Sequence, residues 1–280
     1  MKYDEIWRRL ARRLDAQEAK AVSRMLLEDK FGMTYADILC GGVESLSASD
    51  EQWLASALER IEASEPVQYV LGEALFCDHR FTVGKGVLIP RPETEWLVER
   101  ACRIAAVRGA DALRILDIGT GSGCIAVSLK KSLPDAYVEA WDISPDALAI
   151  AEGNARSLGA DVVFNRRDVL NIANVADCWD IIISNPPYIC DSERRDMDAN
   201  VLDHEPSVAL FVPDSDPLLF YRAITAYASD ALRAGGWLLF ECNTQYAGDT
   251  AALQRDRGFA DVCVVDDCFG KPRFTEAKKP

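Results

Sequence analysis

Histidine and paired cysteine motifs are scarce in this chain of 280 residues. Its two histidines, His79 and His204, lie far apart and lack cysteine or carboxylate partners at ligand spacing, so no metal site is predicted. The nine cysteines are odd in number and include no Cys-x-x-Cys pair. We therefore expect reduced, mostly buried thiols instead of a disulfide framework or a zinc site.

Long apolar stretches and an excess of basic charge are lacking as well. No uncharged segment is long enough to cross a bilayer, and the charged start of the chain, Met1 to Leu14, has no apolar signal core.

Lys and Arg total 31 against 45 Asp and Glu, a net charge of -14, which argues against a large nucleic-acid footprint. The arginines at positions 8, 9, 12 and 13 are interpreted as a solvated helix face. We expect a cytoplasmic protein without membrane or direct nucleic-acid contacts.

The hydrophobic pattern divides the chain into three parts. Residues 1–64 have apolar side chains at helical spacing, which predicts a small helical bundle. Residues 65–92 contain short runs rich in Val, Phe and Tyr broken by glycines, which predicts a β-hairpin linker. Residues 93–280 alternate strands and helices. The predicted elements include two strands and a helix, at Tyr137 to Asp142, Trp237 to Cys242 and Pro145 to Leu158. The predicted fold class is therefore α/β, a Rossmann-like parallel sheet with a small N-terminal helical domain.

Two details of the N-terminal helices are also predicted. Ala21, Met25 and Leu26 recur with helical spacing and are expected to form the buried stripe of the second helix. The third helix is expected at Ser49 to Ala63, with Ser49 or Asp50 as its N-cap.

A glycine-rich loop follows the strand predicted at Arg114 to Asp117 and opens a helix. Its glycines allow a tight turn and let a ligand approach bare backbone. The residues expected to contact a cofactor are Gly119, Thr120, Gly121, Ser122 and Gly123. Several cofactor classes use such loops, and a purely structural glycine turn stays open. The fingerprint of dinucleotide-binding proteins requires its third glycine one position later, where this chain has Cys124. The loop therefore differs from that fingerprint.

Acidic residues separate the cofactor classes further. Asp117 precedes the first glycine, and Asp142 ends the next strand, where its carboxylate can accept hydrogen bonds from both ribose hydroxyls. Together with the glycine spacing, these residues resemble the class I methyltransferases. The resemblance implies S-adenosylmethionine as cofactor, with its methionyl part on the loop and its adenine beside Asp168 and Val169. Asp168 as a simple turn residue stays an alternative.

The segment Asn185-Pro186-Pro187-Tyr188 follows a strand, Ile181 to Ser184, that is apolar enough to be central in the sheet. It reaches the same carboxyl edge as the glycine loop, where ligands of open α/β sheets collect. Asn185 is therefore expected to contact the cofactor as well as the substrate. The prolines remove two N–H donors and stiffen the backbone, which leaves a loop lined by acceptors. A Pro-Pro turn with an Asn cap is the structural alternative.

Acceptors suit the methylation of a planar NH2 group. An amide nitrogen is a poor nucleophile, and a general base cannot usefully remove its proton near neutral pH. If the Asn185 side-chain oxygen and the Pro186 carbonyl each accept one N–H, they stabilise the developing charge and turn the lone pair toward the methyl donor. Pro187 completes the substrate loop, and Tyr188 is expected to stack on the planar group.

Six segments resemble one family in particular, the peptide release-factor glutamine methyltransferases. The matching segments are Glu65 to Tyr69, Leu71-Gly72, Leu88 to Glu95, Asn185 to Ile189, Glu205-Pro206, and Gly270 to Arg273. The resemblance implies methylation of the glutamine in the Gly-Gly-Gln loop of peptide chain release factors, and an N-terminal domain that helps to hold the release factor. It also places Arg91, Glu93 and Glu95 beside the active site, although a surface network that caps the following helix is an alternative. Some family members have an aromatic residue where this chain has Val169.

Other functions remain open at the sequence level. A ribosomal-protein glutamine or an exocyclic nitrogen of a DNA or RNA base presents the same planar NH2 group, although the acidic charge disfavours nucleic acid. A non-catalytic S-adenosylmethionine-binding or scaffolding protein is the alternative from another class, and the intact Asn-Pro-Pro-Tyr segment argues against it.

Overall fold

Helices dominate the start of the chain, and strands begin only at Glu73. The computed structural model describes residues 1–108, 113–173 and 175–280. The α-helices are α1 Tyr3–Leu10, α2 Ala16–Phe31, α3 Tyr35–Leu39, α4 Ala48–Glu62, α5 Val67–Leu71, α6 Glu95–Arg108, α7 Cys124–Ser132, α8 Pro145–Leu158, α9 Ala199–His204, α10 Ser207–Leu210, α11 Leu219–Ala231 and α12 Ala247–Asp256. The strands are β1 Glu73–Phe76, β2 His79–Thr82, β3 Arg114–Ile118, β4 Tyr137–Asp142, β5 Val163–Arg166, β6 Trp179–Ser184, β7 Ile189–Cys190, β8 Phe211–Val212, β9 Leu232–Glu241, β10 Ala260–Asp266 and β11 Pro272–Lys278.

The chain divides into two compact units. The smaller comprises Met1–Glu73 with Asp198–His204, and the larger comprises Ala74–Met197 with Glu205–Pro280. The predicted linker, residues 65–92, differs from this division. Its first part forms α5 and belongs to the smaller unit, while most of the hairpin belongs to the larger one.

The smaller unit is built on its own apolar core. Helices α1, α2, α4 and α5 bury a shared cluster that includes Ile6, Leu26 and Leu58. The N-cap of α4 is Ser47, whose hydroxyl accepts a hydrogen bond from the Asp50 amide, so the predicted cap at Ser49 or Asp50 is corrected. The helix begins at Ala48, earlier than predicted, so the capping position before its first residue is Ser47.

A seven-stranded sheet forms the larger unit, in the order β10-β11-β9-β6-β3-β4-β5. Strands β3, β4, β5, β6 and β9 are parallel, whereas β11 pairs antiparallel with both β9 and β10. The chain runs outward from β3 through β4 to β5 and then returns to place β6 on the other side of β3. Ligands of open α/β sheets bind at such a reversal, so the fold directs attention to the carboxyl ends of β3 and β6.

Helices cover both faces of this sheet, which explains the apolar central strands. Ile181 and Ile183 contribute to the cluster on one face, and Ile182 contributes to the cluster on the other. All six residues of β6 are buried, which confirms the predicted central strand.

The hairpin β1–β2 turns through Cys77 and Asp78, both with positive φ, as a two-residue type I′ connection requires. It is fixed to the half of the sheet that contains β4 and β5 by Asn154 of α8. The Asn154 side chain accepts from the Thr82 amide at 2.7 Å and donates to the Thr82 carbonyl at 3.0 Å. The hairpin therefore docks on the helix that follows β4.

Candidate active site

A cavity of about 310 Å³ opens where the strand order reverses. This is the size expected for a small-molecule site. The residues predicted to contact the cofactor or substrate that line the cavity are Gly119, Gly121, Asp142, Asp168, Val169, Asn185, Pro186 and Pro187. Most of the lining surface is apolar, and further walls come from Gly86 to Leu88 and from Phe220 and Ile224 of α11.

The glycine loop leaves bare backbone on the cavity. Gly119 and Gly121 have φ of 77° and 54°, which favours glycine. A Cβ on Gly121 would meet no described atom within 4 Å, so the space beside it is free for a ligand. The Gly119 and Thr120 amides donate to the Trp141 carbonyl at 2.8 and 2.9 Å, which anchors the loop to β4.

The remaining loop residues serve the packing of the loop itself. Thr120 donates from its hydroxyl to Asp117, and the Ser122 carbonyl accepts from Asn154 at 2.9 Å. A Cβ on Gly123 would lie 3.0 Å from the Ala151 Cβ, so this glycine permits α7 to approach α8. Thr120, Ser122 and Gly123 are outside the described lining of the cavity. Their direct contact with a cofactor stays a prediction.

Asp142 holds two loops together and still offers acceptors to a ligand. One carboxylate oxygen accepts from the Gly121 amide and the other from the Ser144 amide, each at 2.9 Å. A carboxylate has about four lone-pair sites, so roughly two remain. Two free acceptors beside the cavity match the two hydroxyls of a ribose.

Burial changes the protonation of the other acid of the glycine segment. Asp117 is fully buried beneath the loop, and this burial raises its pKa to about 7. The hydrogen bond from Thr120, at 2.6 Å, acts in the opposite direction, and the nearby charge of Asp142 raises the pKa further.

Asp168 is the turn residue that the sequence offered as one alternative, and its contact with adenine stays a prediction. Its carboxylate accepts from the Leu170 amide at 3.0 Å and from the Asn171 side chain at 2.6 Å, so it caps the short 3₁₀ helix Val169–Asn171. Both Asp168 and Val169 also line the cavity. The turn therefore presents Val169 to the place where the sequence resemblance puts adenine.

Asn185 is held by its amide nitrogen. Nδ2 donates to the Thr94 hydroxyl at 3.3 Å, and that hydroxyl donates to Glu241 Oε2 at 2.6 Å. Because the nitrogen is bound away from the loop, the side-chain oxygen of Asn185 is left as the acceptor. The Ser184 hydroxyl, which donates to the Ile118 carbonyl at 2.6 Å, ties the start of this segment to β3.

Tyr188 is held by hydrogen bonds to Glu241 and Asn243, which the sequence did not predict. Its hydroxyl donates to Glu241 Oε1 at 3.0 Å, and its carbonyl accepts from Asn243 Nδ2 at 3.1 Å. Burial, followed by the charge of Glu241, raises the pKa of Tyr188 well above its ordinary value. Tyr188 is outside the described lining of the cavity, so its predicted stacking on the substrate stays a prediction.

Arg91, Glu93 and Glu95 of the Ile-Pro-Arg-Pro-Glu-Thr-Glu segment are outside the described lining of the cavity. Arg91 pairs with the buried Glu205 at 2.6 Å, and Glu205 also accepts from the Ile89 amide at 3.1 Å. Glu95 accepts from the Cys77 amide at 2.9 Å, which ties the hairpin turn to α6. These contacts fix the segment that carries Gly86 to Leu88 on the cavity wall.

Sequence reasoning missed Thr94 and Glu241. Thr94 lies inside the Ile-Pro-Arg-Pro-Glu-Thr-Glu segment, but its uncharged side chain gives no signal in the sequence. Glu241 ends β9, and an acid directly after the apolar run Trp237 to Phe240 was the available signal. In the part of the chain that the structure describes, no group of three or more His, Cys, Asp and Glu side chains could hold a metal ion.

Comparisons with known proteins agree with this geometry. Residues 5–72 match the family model of the PrmC N-terminal domain, and residues 101–204 match that of the methyltransferase small domain. The release factor glutamine methyltransferase of Bacteroides thetaiotaomicron is 47% identical over 264 residues, which cover 94% of either chain. The protein of the same name from Flavobacterium psychrophilum is 41% identical over 80% of this chain and 78% of that protein. A methyltransferase from Pyrococcus furiosus shares the fold, with a TM-score of 0.54, 16% identity, and coverage of 80% of this chain and 98% of that chain.

Proposed function

The chain belongs to the release factor glutamine methyltransferases, and we propose that it methylates the side-chain amide nitrogen of the glutamine in the Gly-Gly-Gln loop of peptide release factors. Membership follows from 47% identity across 94% of a relative of that name. It confirms the predicted class I methyltransferase fold and makes the chain an enzyme that uses S-adenosylmethionine as methyl donor. The release-factor target and a cytoplasmic reaction are part of the proposal.

The cavity suits this cofactor. Its apolar walls accept an adenine ring, Asp142 keeps acceptors for ribose hydroxyls, and the exposed backbone at Gly119 and Gly121 leaves room for the methionyl part. S-adenosylmethionine supplies a methyl group on a positively charged sulfur. Val169 would contact the adenine, and Asn185 would stand between the cofactor and the substrate.

The orientation of Asn185 carries the proposal. Its Nδ2 is bound by Thr94, so Oδ1 is the atom available to accept an N–H from a substrate amide. The Pro186 carbonyl offers a second acceptor, since Pro186 also lines the cavity. Two fixed acceptors hold an NH2 group with its lone pair turned toward the methyl donor and stabilise positive charge on the nitrogen. The displaced proton then leaves to solvent after the methyl has moved.

Labelled methyl transfer tests this proposal. Purified, unmethylated release factor should take up label from S-adenosylmethionine, and replacing the loop glutamine by alanine should abolish the labelling. Asn185→Ala should lower kcat by about 100-fold or more, as expected for loss of one preorganised hydrogen-bonding group. Gln52→Ala removes an exposed side-chain amide from α4 and is the matched control, with unchanged kcat. Label on ribosomal proteins or on RNA, with none on release factor, would contradict the proposed target.

A further inference from the structure

We propose that Thr94 and Glu241 are positioning residues that fix the direction of the Asn185 amide and thereby make the site select a carboxamide over a carboxylate. The inference rests on the proposed function, since it concerns how the same site recognises glutamine. It starts from three hydrogen bonds in series, which run from Asn185 to Thr94, from Thr94 to Glu241, and from Tyr188 to Glu241.

The direction of an asparagine amide has to be imposed by its neighbours. The two ends of the amide have nearly the same shape, but one donates and the other accepts. In the reverse orientation, Asn185 would present NH2 to the substrate, and a glutamine amide would meet a donor where it needs an acceptor. Methylation therefore depends on which end of the amide Thr94 binds.

Glu241 decides what Thr94 can bind. An ionised carboxylate only accepts hydrogen bonds, so the single hydroxyl hydrogen of Thr94 must go to Glu241, at 2.6 Å. Only lone pairs of the Thr94 oxygen then remain for Asn185, and these require a donor. The amide nitrogen of Asn185 must accordingly face Thr94, and its oxygen must face away.

The surroundings keep this arrangement in place. Thr94 is 3% exposed and Glu241 is 0% exposed, so bulk water does not compete for either group. Burial raises the pKa of Glu241, and the charge of Glu93 adds to this rise. The hydrogen bonds from Thr94 and Tyr188, of which Tyr188 donates to the second carboxylate oxygen, and the positive charge of Arg273 act in the opposite direction. Both the hydroxyl donors and the arginine favour the acceptor-only form of Glu241.

Neither Thr94 nor Glu241 belongs to the described lining of the cavity. Their effect on the reaction must pass through Asn185, so changing them should leave cofactor binding intact. It should also change which substrate group the site prefers. A glutamate side chain carries no N–H and meets two oxygen acceptors in the wild-type site, whereas a rotated Asn185 would offer it a donor.

Thr94→Val and Thr94→Ser test the role of the hydroxyl. The assay measures kcat and KM with unmethylated release factor and S-adenosylmethionine, and the inhibition constant of a release factor whose loop reads Gly-Gly-Glu. Thr94→Val should lower kcat about tenfold or more and leave KM for S-adenosylmethionine within about twofold. We define the selectivity ratio as the inhibition constant of the Gly-Gly-Glu release factor divided by the KM of the unmethylated release factor. Thr94→Val should lower this ratio about tenfold. Thr94→Ser, which restores the hydroxyl, should stay within about threefold of wild type in both quantities.

Thr225→Val is the matched control. Thr225 is fully buried in α11, and its hydroxyl has no hydrogen-bond partner among the described residues. The same substitution there removes a hydroxyl without removing a hydrogen bond, so kcat and the selectivity ratio should not change.

Glu241→Gln provides a second route in case Thr94→Val does not fold. Its amide can donate to Thr94 and release the threonine hydrogen toward Asn185, so the selectivity ratio should again fall.

The outcomes separate the two proposals. If wild type methylates release factor while Thr94→Val and Glu241→Gln keep the kcat and the selectivity ratio of wild type, the positioning role is overturned alone. If Thr94→Ser loses as much as Thr94→Val, the volume of the side chain matters instead of its hydroxyl, and the inference is equally wrong. If wild type transfers no methyl group to release factor, the proposed function and this inference both fail.

Discussion

Asp142 illustrates how a single carboxylate can organise a loop and still receive a ligand. Its two oxygens accept from the Gly121 and Ser144 amides, so the residue that we propose as the ribose contact also fixes the backbone around it. The sequence predicted the ribose contact from the position of the acid at the end of β4. It did not predict the two amide bonds, because these depend on the path of the glycine loop in three dimensions.

Asp142→Asn should weaken S-adenosylmethionine binding. An asparagine offers one oxygen in place of two, so either a loop amide or a ribose hydroxyl loses its acceptor. We expect Kd to rise about tenfold or more, corresponding to the loss of one or two hydrogen bonds to a charged group. Titration calorimetry measures this Kd. The exposed Asp161 offers the control Asp161→Asn, and equal affinity of the two variants would argue against a ribose contact.

Asp117 makes stability depend on pH. Its folded pKa of about 7 lies above the ordinary value of 3.8, so between these values the native state holds a proton that the unfolded chain has lost. Stability should therefore fall as pH rises through this window. Relative to Asp117→Asn, the free energy of unfolding of the cofactor-free wild type should drop by about 2 kcal/mol from pH 5 to pH 7. Urea denaturation at several pH values measures the difference, and parallel pH profiles would show that Asp117 does not titrate there.

Residue-level prediction succeeded where a residue type and its place on a strand together define the chemistry. Asn185, Pro186 and Asp142 lie on the cavity as expected. It failed where a role is created by a distant partner. Thr94 and Glu241 are 147 positions apart, and only the folded chain brings them within hydrogen-bonding distance.

At the scale of elements, strongly patterned segments were predicted well. Strand β4 and helix α8 have the predicted bounds, Tyr137–Asp142 and Pro145–Leu158. Helix α5 was missed because its five residues are too few to show a helical period, and Val and Tyr are typical of strands. Strand β9 begins at Leu232, earlier than predicted, because the Gly235-Gly236 pair that resembles a turn lies at an irregularity in its pairing with β6.

The predicted buried stripe of α2 is confirmed at Leu26 and wrong at Ala21. Ala21 is exposed, while Ser23 is buried in its place. Burial of a serine is tolerated here because its hydroxyl donates to the Ala19 carbonyl at 2.7 Å. A local hydrogen bond of this kind lets a polar residue occupy a core position, which a hydrophobic pattern cannot reveal.

Gly123→Ala should destabilise the contact between α7 and α8. The residue has φ of 80°, and a new Cβ would lie 3.0 Å from Cβ and 3.2 Å from Cα of Ala151. We expect the free energy of unfolding to fall by about 2 kcal/mol or more, from backbone strain together with overpacking. Urea denaturation provides the measurement.

Gly153→Ala is the paired substitution and lies in α8, two residues from Ala151. A Cβ at this position meets no described atom within 4 Å, and a helix interior favours alanine by about 0.5–1 kcal/mol. The control should therefore be neutral or stabilising. Similar losses in both variants would exclude the close approach at Gly123 as the cause.

At the scale of the whole molecule, the chain combines a catalytic sheet with a second unit that has a separate core. The described residues include no helix that is both long and apolar enough to span a membrane. The N-terminal helices match a family domain of their own, distinct from the methyltransferase domain that follows. We propose that this unit contributes to holding the release factor, as the sequence resemblance implies.

A comparison of substrates tests that role. A short peptide containing Gly-Gly-Gln can occupy the catalytic site alone, whereas an intact release factor can also contact the helical unit. We expect the intact protein to have a KM lower by about 100-fold, because a second contact adds to the first through effective concentration. Steady-state kinetics with both substrates measures the ratio. Equal KM values would restrict recognition to the catalytic unit.

The most direct test of the account is a crystal structure of the enzyme with S-adenosylhomocysteine and a Gly-Gly-Gln peptide. The glutamine amide nitrogen should lie about 2.7–3.2 Å from both Asn185 Oδ1 and the Pro186 carbonyl oxygen, with its free face toward the cofactor sulfur. A glutamine held through its carbonyl oxygen, or an Asn185 side chain turned away from the peptide, would contradict the account.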